Sequence, residues 1–200
     1  MTAKELVSLR AVVGLSDKPA HIENSALVMI DCQNTYTRGV MKLTGVDEAL
    51  LEAEKLLNIA REKNIPIFHV RHDGGEGSPY DINADIGAFI EQVAPQSGEA
   101  IITKHYPNSF IQTDLDAQLK AQGVQDIVLA GFMTHMCINS TAHGAFNLGY
   151  QPTVVASATA TRSLQGINGE IISAADIQAS AIASTRDLYA AIANTVDEFI

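Results

Sequence analysis

The feature that most constrains the fold is an alternation of short runs rich in β-branched residues with longer segments of helical period. Most of these runs are apolar on both faces, which is typical of a parallel sheet covered by helices on both sides. We therefore predict a three-layer α/β/α domain built from βαβ units. The predicted strands cover residues 26–31, 65–70, 100–103, 126–131 and 153–156, with a weaker sixth at 196–200.

Four helices are predicted between and after these strands. Residues 46–63 carry an apolar stripe at helical spacing, and a second helix runs from an N-cap at Thr113 to Gly123. The other two helices cover 137–148 and 174–193, so the sequence places Cys137 at the amino end of a helix.

Composition indicates one compact domain and restricts its partners. The chain has 200 residues, of which 46% are hydrophobic, and this is enough to bury a substantial core. A net charge of -10 and a sequence pI near 4.9 argue against binding to nucleic acid or to an anionic membrane surface. We expect residues 1–24 to form an N-terminal extension and residues 25–200 to form the domain.

The sequence also predicts a cytoplasmic location. No stretch approaches the roughly 18 consecutive apolar residues of a membrane span. The first residues, "MTAKELVSLR", lack the apolar core and the cleavage site of a signal peptide. Cys32 and Cys137 are the two cysteines, too few for a disulfide framework, and we expect both to be thiols, with Cys32 a buried apolar residue.

Three chemically active residues follow different predicted strands. Asp31 ends the first strand, Lys104 follows the third, and Cys137 begins the helix after the fourth. Because ligands bind outside the carboxyl ends of the strands in an open parallel sheet, we expect these side chains to meet at one rim. A helix N-terminus and a nearby ammonium favour a thiolate, and a carboxylate can shuttle its proton. The sequence therefore predicts nucleophilic catalysis by Cys137.

Three segments, "MIDCQNTY", "ITKHYPNSF" and "GFMTHMCINSTAHGAFNLGY", together resemble the isochorismatase-like cysteine hydrolase family, over residues 25 to 190. The resemblance implies a catalytic triad of Asp31, Lys104 and Cys137 on a Rossmann-like six-stranded parallel sheet of order 3-2-1-4-5-6. It also implies a cis peptide bond between Phe132 and Met133. The backbone amides of Met133 and Cys137 would then form the oxyanion hole, and the protein would be a homodimer or a larger even homo-oligomer.

The resembled family contains two chemistries. Its vinyl-ether-cleaving isochorismatases generally lack the nucleophilic cysteine, whereas its amidohydrolases use it. Cys137 therefore favours hydrolysis of a C–N bond in a small amide, ureide or lactam through an acyl-thioester. Vinyl-ether hydrolysis and a non-catalytic small-molecule binding protein are the alternatives.

No metal or other cofactor is expected from the sequence. Nicotinamidases of this family hold a metal through an Asp-x-His pair, and the corresponding region here, "FHVRHDGGEGSPYD", contains none. His69 and His72 are three residues apart, so in an extended segment they point to opposite faces. The glycine pattern matches neither a Walker motif nor a dinucleotide fingerprint.

Residues near the three segments are predicted to line the substrate pocket. Aromatic side chains would supply apolar surface and amides would orient the ligand. Residues 72–81 have the glycines and the position of a lid, and His105 and His143 are expected to be structural or exposed. The predicted substrate-binding residues are Gln33, Tyr36, Asn108, Phe110, Thr134 and His135.

Overall fold

The computed structural model describes residues 6–200 and confirms the predicted α/β/α architecture. Six parallel strands form the sheet in the order β3-β2-β1-β4-β5-β8, the predicted order with β8 as its sixth strand. β6 and β7 form a separate antiparallel hairpin. The strands are β1 (Ser25–Ile30), β2 (Ile67–His72), β3 (Ala100–Lys104), β4 (Asp126–Phe132), β5 (Gln151–Ala160), β6 (Leu164–Gln165), β7 (Ile171–Ile172) and β8 (Ala191–Ala193).

Helices cover both faces of this sheet, and alternate strand residues point into two apolar layers. On β1, Leu27 and Met29 belong to one layer, whereas Val28 and Ile30 belong to the other. This is the pattern expected of a strand buried on both faces. The helices are α1 (Leu9–Val12), α2 (Val46–Glu62), α3 (Leu115–Ala121), α4 (Asn139–Asn147) and α5 (Ala174–Leu188).

The predictions at the carboxyl end of the chain were wrong. Helix α5 ends at Leu188 instead of residue 193, and the sixth strand is Ala191–Ala193 instead of 196–200. The segment Val196–Phe199 is a 3-10 helix whose two apolar ends pack into the layer beneath α2. Alanine favours helices, so the pattern suggested a longer helix, but pairing with β5 recruits these alanines into the sheet.

Other boundaries also differ from the sequence prediction, and β5, at Gln151–Ala160, is longer at both ends than the predicted 153–156. Helix α3 begins at Leu115 with Asp114 as its N-cap, so the predicted cap at Thr113 was one residue early. The Asp114 side chain makes no cap hydrogen bond, whereas the Thr113 hydroxyl accepts from the Leu115 amide at 3.4 Å and donates to the Ser109 carbonyl. Strand β2 begins and ends two residues later than predicted, which brings His72 into the sheet opposite Lys104.

The described part of the N-terminal extension packs on its own domain. The Arg10 side chain is buried, and its guanidinium donates to the carbonyl oxygens of Ser16 and Leu188. The amide of Leu9 donates to Asp187 near the end of α5. Among the helices of residues 6–200, none has the length and apolar character needed to cross a membrane.

Glu99, directly before β3, connects three parts of the fold. Its carboxylate accepts hydrogen bonds from Arg61 of α2 at 2.7 and 3.0 Å, from His69 Nε2 of β2 at 2.8 Å and from the Gln96 amide. Burial acts to raise the pKa of Glu99, but these hydrogen bonds outweigh it and lower that pKa to about 2. The charged carboxylate therefore stabilises the edge of the sheet.

We predict that Glu99→Gln lowers the free energy of unfolding at pH 7 by about 1 to 3 kcal/mol. Because the folded pKa lies below the unfolded one, the carboxylate stabilises the protein above about pH 4.5, and this contribution disappears as the pH falls towards 2. Urea unfolding at several pH values should show the difference between wild type and variant shrinking below about pH 4.5. Glu62→Gln, at the exposed end of α2, is the control. A difference that does not change with pH would contradict the prediction.

Candidate functional site

Three side chains from the ends of three strands meet in the protein interior. Lys104 Nζ lies 2.7 Å from Asp31 Oδ2 and 3.4 Å from Cys137 Sγ. Asp31 and Lys104 are fully buried, and Cys137 is 6% exposed. The structure therefore brings together the three residues that the sequence selected, and the lysine lies between the acid and the thiol.

The backbone at two strand ends turns sharply to make this meeting possible. Asp31 still pairs through its amide with Val70 of β2, but its φ of 51° is left-handed and turns the chain out of β1. Beside it, Gly131 has a φ of 114°, and a Cβ there would lie 2.0 Å from the Ile30 carbonyl oxygen. Only glycine allows β4 to pass so close to the end of β1.

The turn after β4 differs in one detail from the predicted helix. Residues Thr134–Ile138 form a single π-helical turn, and α4 begins at Asn139, so Cys137 lies before the α-helix instead of in its first residue. The peptide bond between Phe132 and Met133 is cis, as the resemblance implied.

The Met133 carbonyl organises this turn. It accepts hydrogen bonds from the amides of Met136 and Ile138, the two residues that flank Cys137, at 3.0 and 3.2 Å. Two hydrogen bonds to one carbonyl oxygen therefore close this turn, and Cys137 lies between the two donor residues in the sequence. The oxyanion role of the Met133 and Cys137 amides stays a prediction.

Electrostatics correct one expectation about the thiol. Burial and the Asp31 carboxylate both raise the pKa of Cys137, and the opposing effect of Lys104 is too small to reverse them. The sequence argument, which expected a lowered pKa, counted the lysine and the helix but not the burial. Burial acts to lower the pKa of Lys104, but the Asp31 carboxylate 2.7 Å away opposes this and the net shift is upward, so the amine is an ammonium. The resting site therefore holds a neutral thiol beside a buried ion pair.

Two predicted pocket residues lie around this cluster. Tyr36 is buried, its ring centroid is 5.7 Å from that of Phe132, and its phenol pKa is raised by burial and then by Asp31 and Cys137. Thr134 is fully buried, and within residues 6–200 its hydroxyl has no hydrogen-bond partner. The substrate-binding role of Tyr36 and Thr134 stays a prediction.

The remaining predicted pocket residues bond mainly to the protein itself. Gln33 is fully buried and hydrogen-bonds to the backbone of His72 and Gly87. The amide oxygen of Asn108 accepts from the Phe110 amide, and the Phe110 ring stacks on Tyr150. These contacts do not involve the three central residues, and the substrate-binding role of all three side chains stays a prediction.

His135 and the predicted structural histidines have distinct surroundings. The Nδ1 atom of His135 lies 2.5 Å from the hydroxyl of Thr161, at the end of β5. His143 stacks on Tyr189, whereas His105 is exposed and contacts the backbone of Asp73.

Sequence reasoning did not select three residues: His72 contacts the cluster, Tyr80 packs against the neighbours of the cluster, and Arg162 lies near Tyr80. His72 Nδ1 lies 3.3 Å from Lys104 Nζ, and the Tyr80 ring packs edge-on against His72 and Tyr36. Tyr80 thus brings the predicted lid segment into contact with the site. The third residue, Arg162, follows the end of β5. Its place just after a strand end was not visible in the sequence, because the predicted strand ended at residue 156 whereas β5 extends to Ala160.

The two histidines of β2 lie on opposite faces, as predicted. His69 bonds to Glu99 on one side of the sheet, and His72 contacts Lys104 on the other. Within residues 6–200, no group of three or more His, Cys, Asp or Glu side chains is arranged to hold a metal ion.

The family model described as the isochorismatase domain matches residues 25–192. The chain belongs to the isochorismatase family. A crystal structure of an isochorismatase from Pseudomonas putida KT2440 shares 36% of its sequence with this chain, has a TM-score of 0.93, and is aligned over 96% of this chain and 98% of its own. This likeness agrees with the fold and with the resemblance of the three segments.

Two other relatives of the isochorismatase family show how widely its members differ. The maleamate amidohydrolase of Pseudomonas putida is 35% identical over 166 residues, which cover 72% of each chain. A Verticillium dahliae protein named secreted isochorismatase effector Isc1 is 30% identical over 191 residues, 95% of this chain and 98% of its own. Family membership thus indicates a hydrolase scaffold that includes amidohydrolases. A cytoplasmic location stays a prediction, because one relative is named as secreted.

The balance of charges around Cys137 generates a testable prediction. Asp31→Asn should lower the pH at which the thiol ionises, because it removes a charge that raises the pKa, whereas Lys104→Met should raise that pH. Thiolate absorbance during a pH titration measures both shifts, with Cys137→Ala as the blank. Shifts in the same direction for both variants would contradict this account. Thermal unfolding confirms that each variant is folded, since breaking a buried ion pair costs about 3 to 5 kcal/mol.

Proposed function

We propose that this protein is a cysteine hydrolase that cleaves a C–N bond in a small amide or ureide carrying a carboxylate. The observation that carries the proposal is the position of Lys104 Nζ, which lies within hydrogen-bond distance of both Asp31 and Cys137 in a buried site. A nucleophile beside a proton acceptor, with a cation to steady the anionic sulfur, supports covalent catalysis. The family also contains named amidohydrolases, including the maleamate enzyme.

The proposed reaction begins with a neutral thiol. Asp31 accepts the proton of Cys137 as the sulfur attacks the carbonyl carbon, and Lys104 stabilises the charge that the sulfur carries before the bond forms. Backbone amides of Met133 and Cys137 hold the resulting oxyanion. The C–N bond then breaks, and the leaving nitrogen takes the proton from Asp31.

The second half of the reaction restores the enzyme. Asp31, now a carboxylate again, accepts a proton from a water molecule that attacks the acyl-thioester. Collapse of this second tetrahedral intermediate releases the acid product, and the thiolate of Cys137 takes the proton back from Asp31. One amide and one water thus give one carboxylic acid and one amine.

Arg162 supports a substrate that carries a negative charge. It follows β5 directly after Thr161, whose hydroxyl contacts His135. Burial lowers the pKa of His135, and the Arg162 charge lowers it further. The Arg162 charge also acts to lower the pKa of Tyr80, but burial is the larger effect and raises that pKa. Arg162 therefore lies near these two rings, and the Tyr80 ring in turn contacts Tyr36.

The Nε atom of Arg162 lacks a protein partner. It is buried, and no acceptor within residues 6–200 bonds to it. A desolvated guanidinium donor without an acceptor is costly unless a ligand supplies one. A carboxylate matches the planar donors of arginine in shape and charge. Maleamate, the substrate named for one relative, is an amide with such a carboxylate.

Loss of the nucleophile should abolish the proposed chemistry. We predict that Cys137→Ala reduces ammonia release from maleamate or a related small amide at least about a thousandfold. The control is Cys32→Ala, which removes a buried thiol next to Asp31 in the chain and should remain active. Retained turnover in Cys137→Ala, with loss in Asp31→Asn, would instead support vinyl-ether hydrolysis. Binding of small amides without turnover of any of them would support a binding protein.

Removal of the Arg162 charge should affect charged substrates selectively. We predict that Arg162→Gln raises KM about tenfold to a hundredfold for maleamate but leaves KM for its methyl ester within about twofold. Steady-state kinetics on the two substrates measures the difference. Arg186→Gln removes the same charge from an exposed position on α5 and should change neither value. Equal increases in KM for the acid and the ester would show that Arg162 does not bind the substrate carboxylate.

The quaternary structure and the role of residues 72–81 also remain proposals. A homodimer or larger even homo-oligomer is what the family resemblance implies, and the domain would comprise residues 25–200. The contacts of Tyr80 with His72 and Tyr36 support a segment that covers the bound substrate.

A further inference from the structure

The ammonium group of Lys104 has three hydrogens and three acceptors. Besides Asp31 Oδ2 at 2.7 Å and Cys137 Sγ at 3.4 Å, its third neighbour is His72 Nδ1 at 3.3 Å. A lysine ammonium has three donors and no acceptor capacity, so these contacts use all of them. The direction of the hydrogen that reaches the sulfur is therefore fixed by the other two acceptors.

His72 can fill this role only as a neutral ring with its proton on Nε2. Nδ1 then has the lone pair that accepts from Lys104. Burial lowers the pKa of His72, and the neighbouring Lys104 charge lowers it further, whereas the charges of Asp31 and Asp73 oppose this and His105 adds to it. The net shift is downward, so the neutral form is favoured near pH 7.

The surrounding structure holds the imidazole in place from three directions. Strand pairing sets His72 opposite Lys104 in the parallel register of β2 and β3. The Gln33 side chain accepts from the His72 amide at 2.8 Å and donates to the His72 carbonyl at 3.0 Å. The Tyr80 ring packs against the imidazole edge-on, with centroids 5.1 Å apart.

A second contact of Gln33 extends this support. Its Nε2 atom also donates to the Gly87 carbonyl at 2.7 Å. The loop that follows β2 is thereby tied to the same side chain. Gln33 lies two residues after Asp31, so one short segment of chain supplies both the carboxylate and the side chain that hydrogen-bonds to the His72 backbone. This explains why a fully buried glutamine is present at a place where a ligand contact was predicted.

We infer that His72 is a positioning residue that holds the Lys104 ammonium against Cys137 and Asp31, and that Gln33 holds His72. The inference rests on the proposed role of Cys137 as the nucleophile. It adds a fourth side chain to the three expected from the sequence. His72 does not touch the sulfur in this arrangement; it acts by limiting where the lysine charge can be.

The test measures thiol reactivity, so it does not depend on knowing the substrate. Alkylation of Cys137 by iodoacetamide, followed by mass spectrometry of its peptide from pH 6 to 10, gives a rate and a pH midpoint for each variant. His72→Leu removes the acceptor and should slow alkylation at pH 8 about tenfold and raise the midpoint, as expected when a buried donor loses its partner. His72→Asn retains an acceptor near the Nδ1 position and should stay within about threefold of wild type.

His69→Leu is the matched control, because it removes a buried histidine from the same strand on the opposite face. It should leave the pH midpoint unchanged even where it lowers the melting temperature. Equal effects of His72→Leu and His72→Asn, no effect of either, or the same shift in His69→Leu would overturn the inference.

A second variant covers the case in which His72→Leu does not fold. Gln33→Met removes the side-chain hydrogen bonds to the His72 backbone but keeps the imidazole. It should raise the pH midpoint of Cys137 alkylation by a smaller amount than His72→Leu does. An unchanged midpoint in a folded Gln33→Met protein would overturn the inference. If substrate turnover fails in every assay while these alkylation shifts are seen, the proposed function is wrong but the positioning of Lys104 stands.

Discussion

The structure of the site depends on a fully buried ammonium group. Taking Lys104 out of water is unfavourable, and the charge is retained because Asp31 lies 2.7 Å away and two further acceptors complete its coordination. Each of these acceptors comes from the end of a different strand or turn. The parallel sheet is therefore required for the ion pair, since only its shared carboxyl edge brings β1, β3 and the turn after β4 to one point.

The same burial sets the state of the thiol. In water an adjacent lysine would favour the thiolate, but here burial and the Asp31 carboxylate prevail and the pKa of Cys137 is raised. A resting thiol is compatible with proton transfer to Asp31 during attack. In the proposed mechanism the reactive anion would form only as the sulfur attacks the substrate. Precise placement of the lysine then matters more than a permanently charged nucleophile.

Arg162 and His72 occupy different positions around this centre. Arg162 lies beyond β5, and its buried Nε donor has no partner among residues 6–200, which supports a charged group on the substrate. His72 lies within β2 and has its acceptor already engaged by Lys104. The first would select the substrate, whereas the second would organise the catalytic charge.

The sequence by itself determined the α/β/α fold and the candidate residues at the strand ends, because apolar strand runs and polar residues directly after them are local patterns, whereas the strand order followed from the resemblance of three segments to a known family. It did not determine that β2 extends to His72, nor that the alanines at 191–193 form a strand, because register and edge pairing depend on neighbours distant in sequence. Tertiary structure alone decided the raised pKa of Cys137, since burial is a property of the packed chain, and it alone brought His72 against Lys104 and Tyr80 against His72.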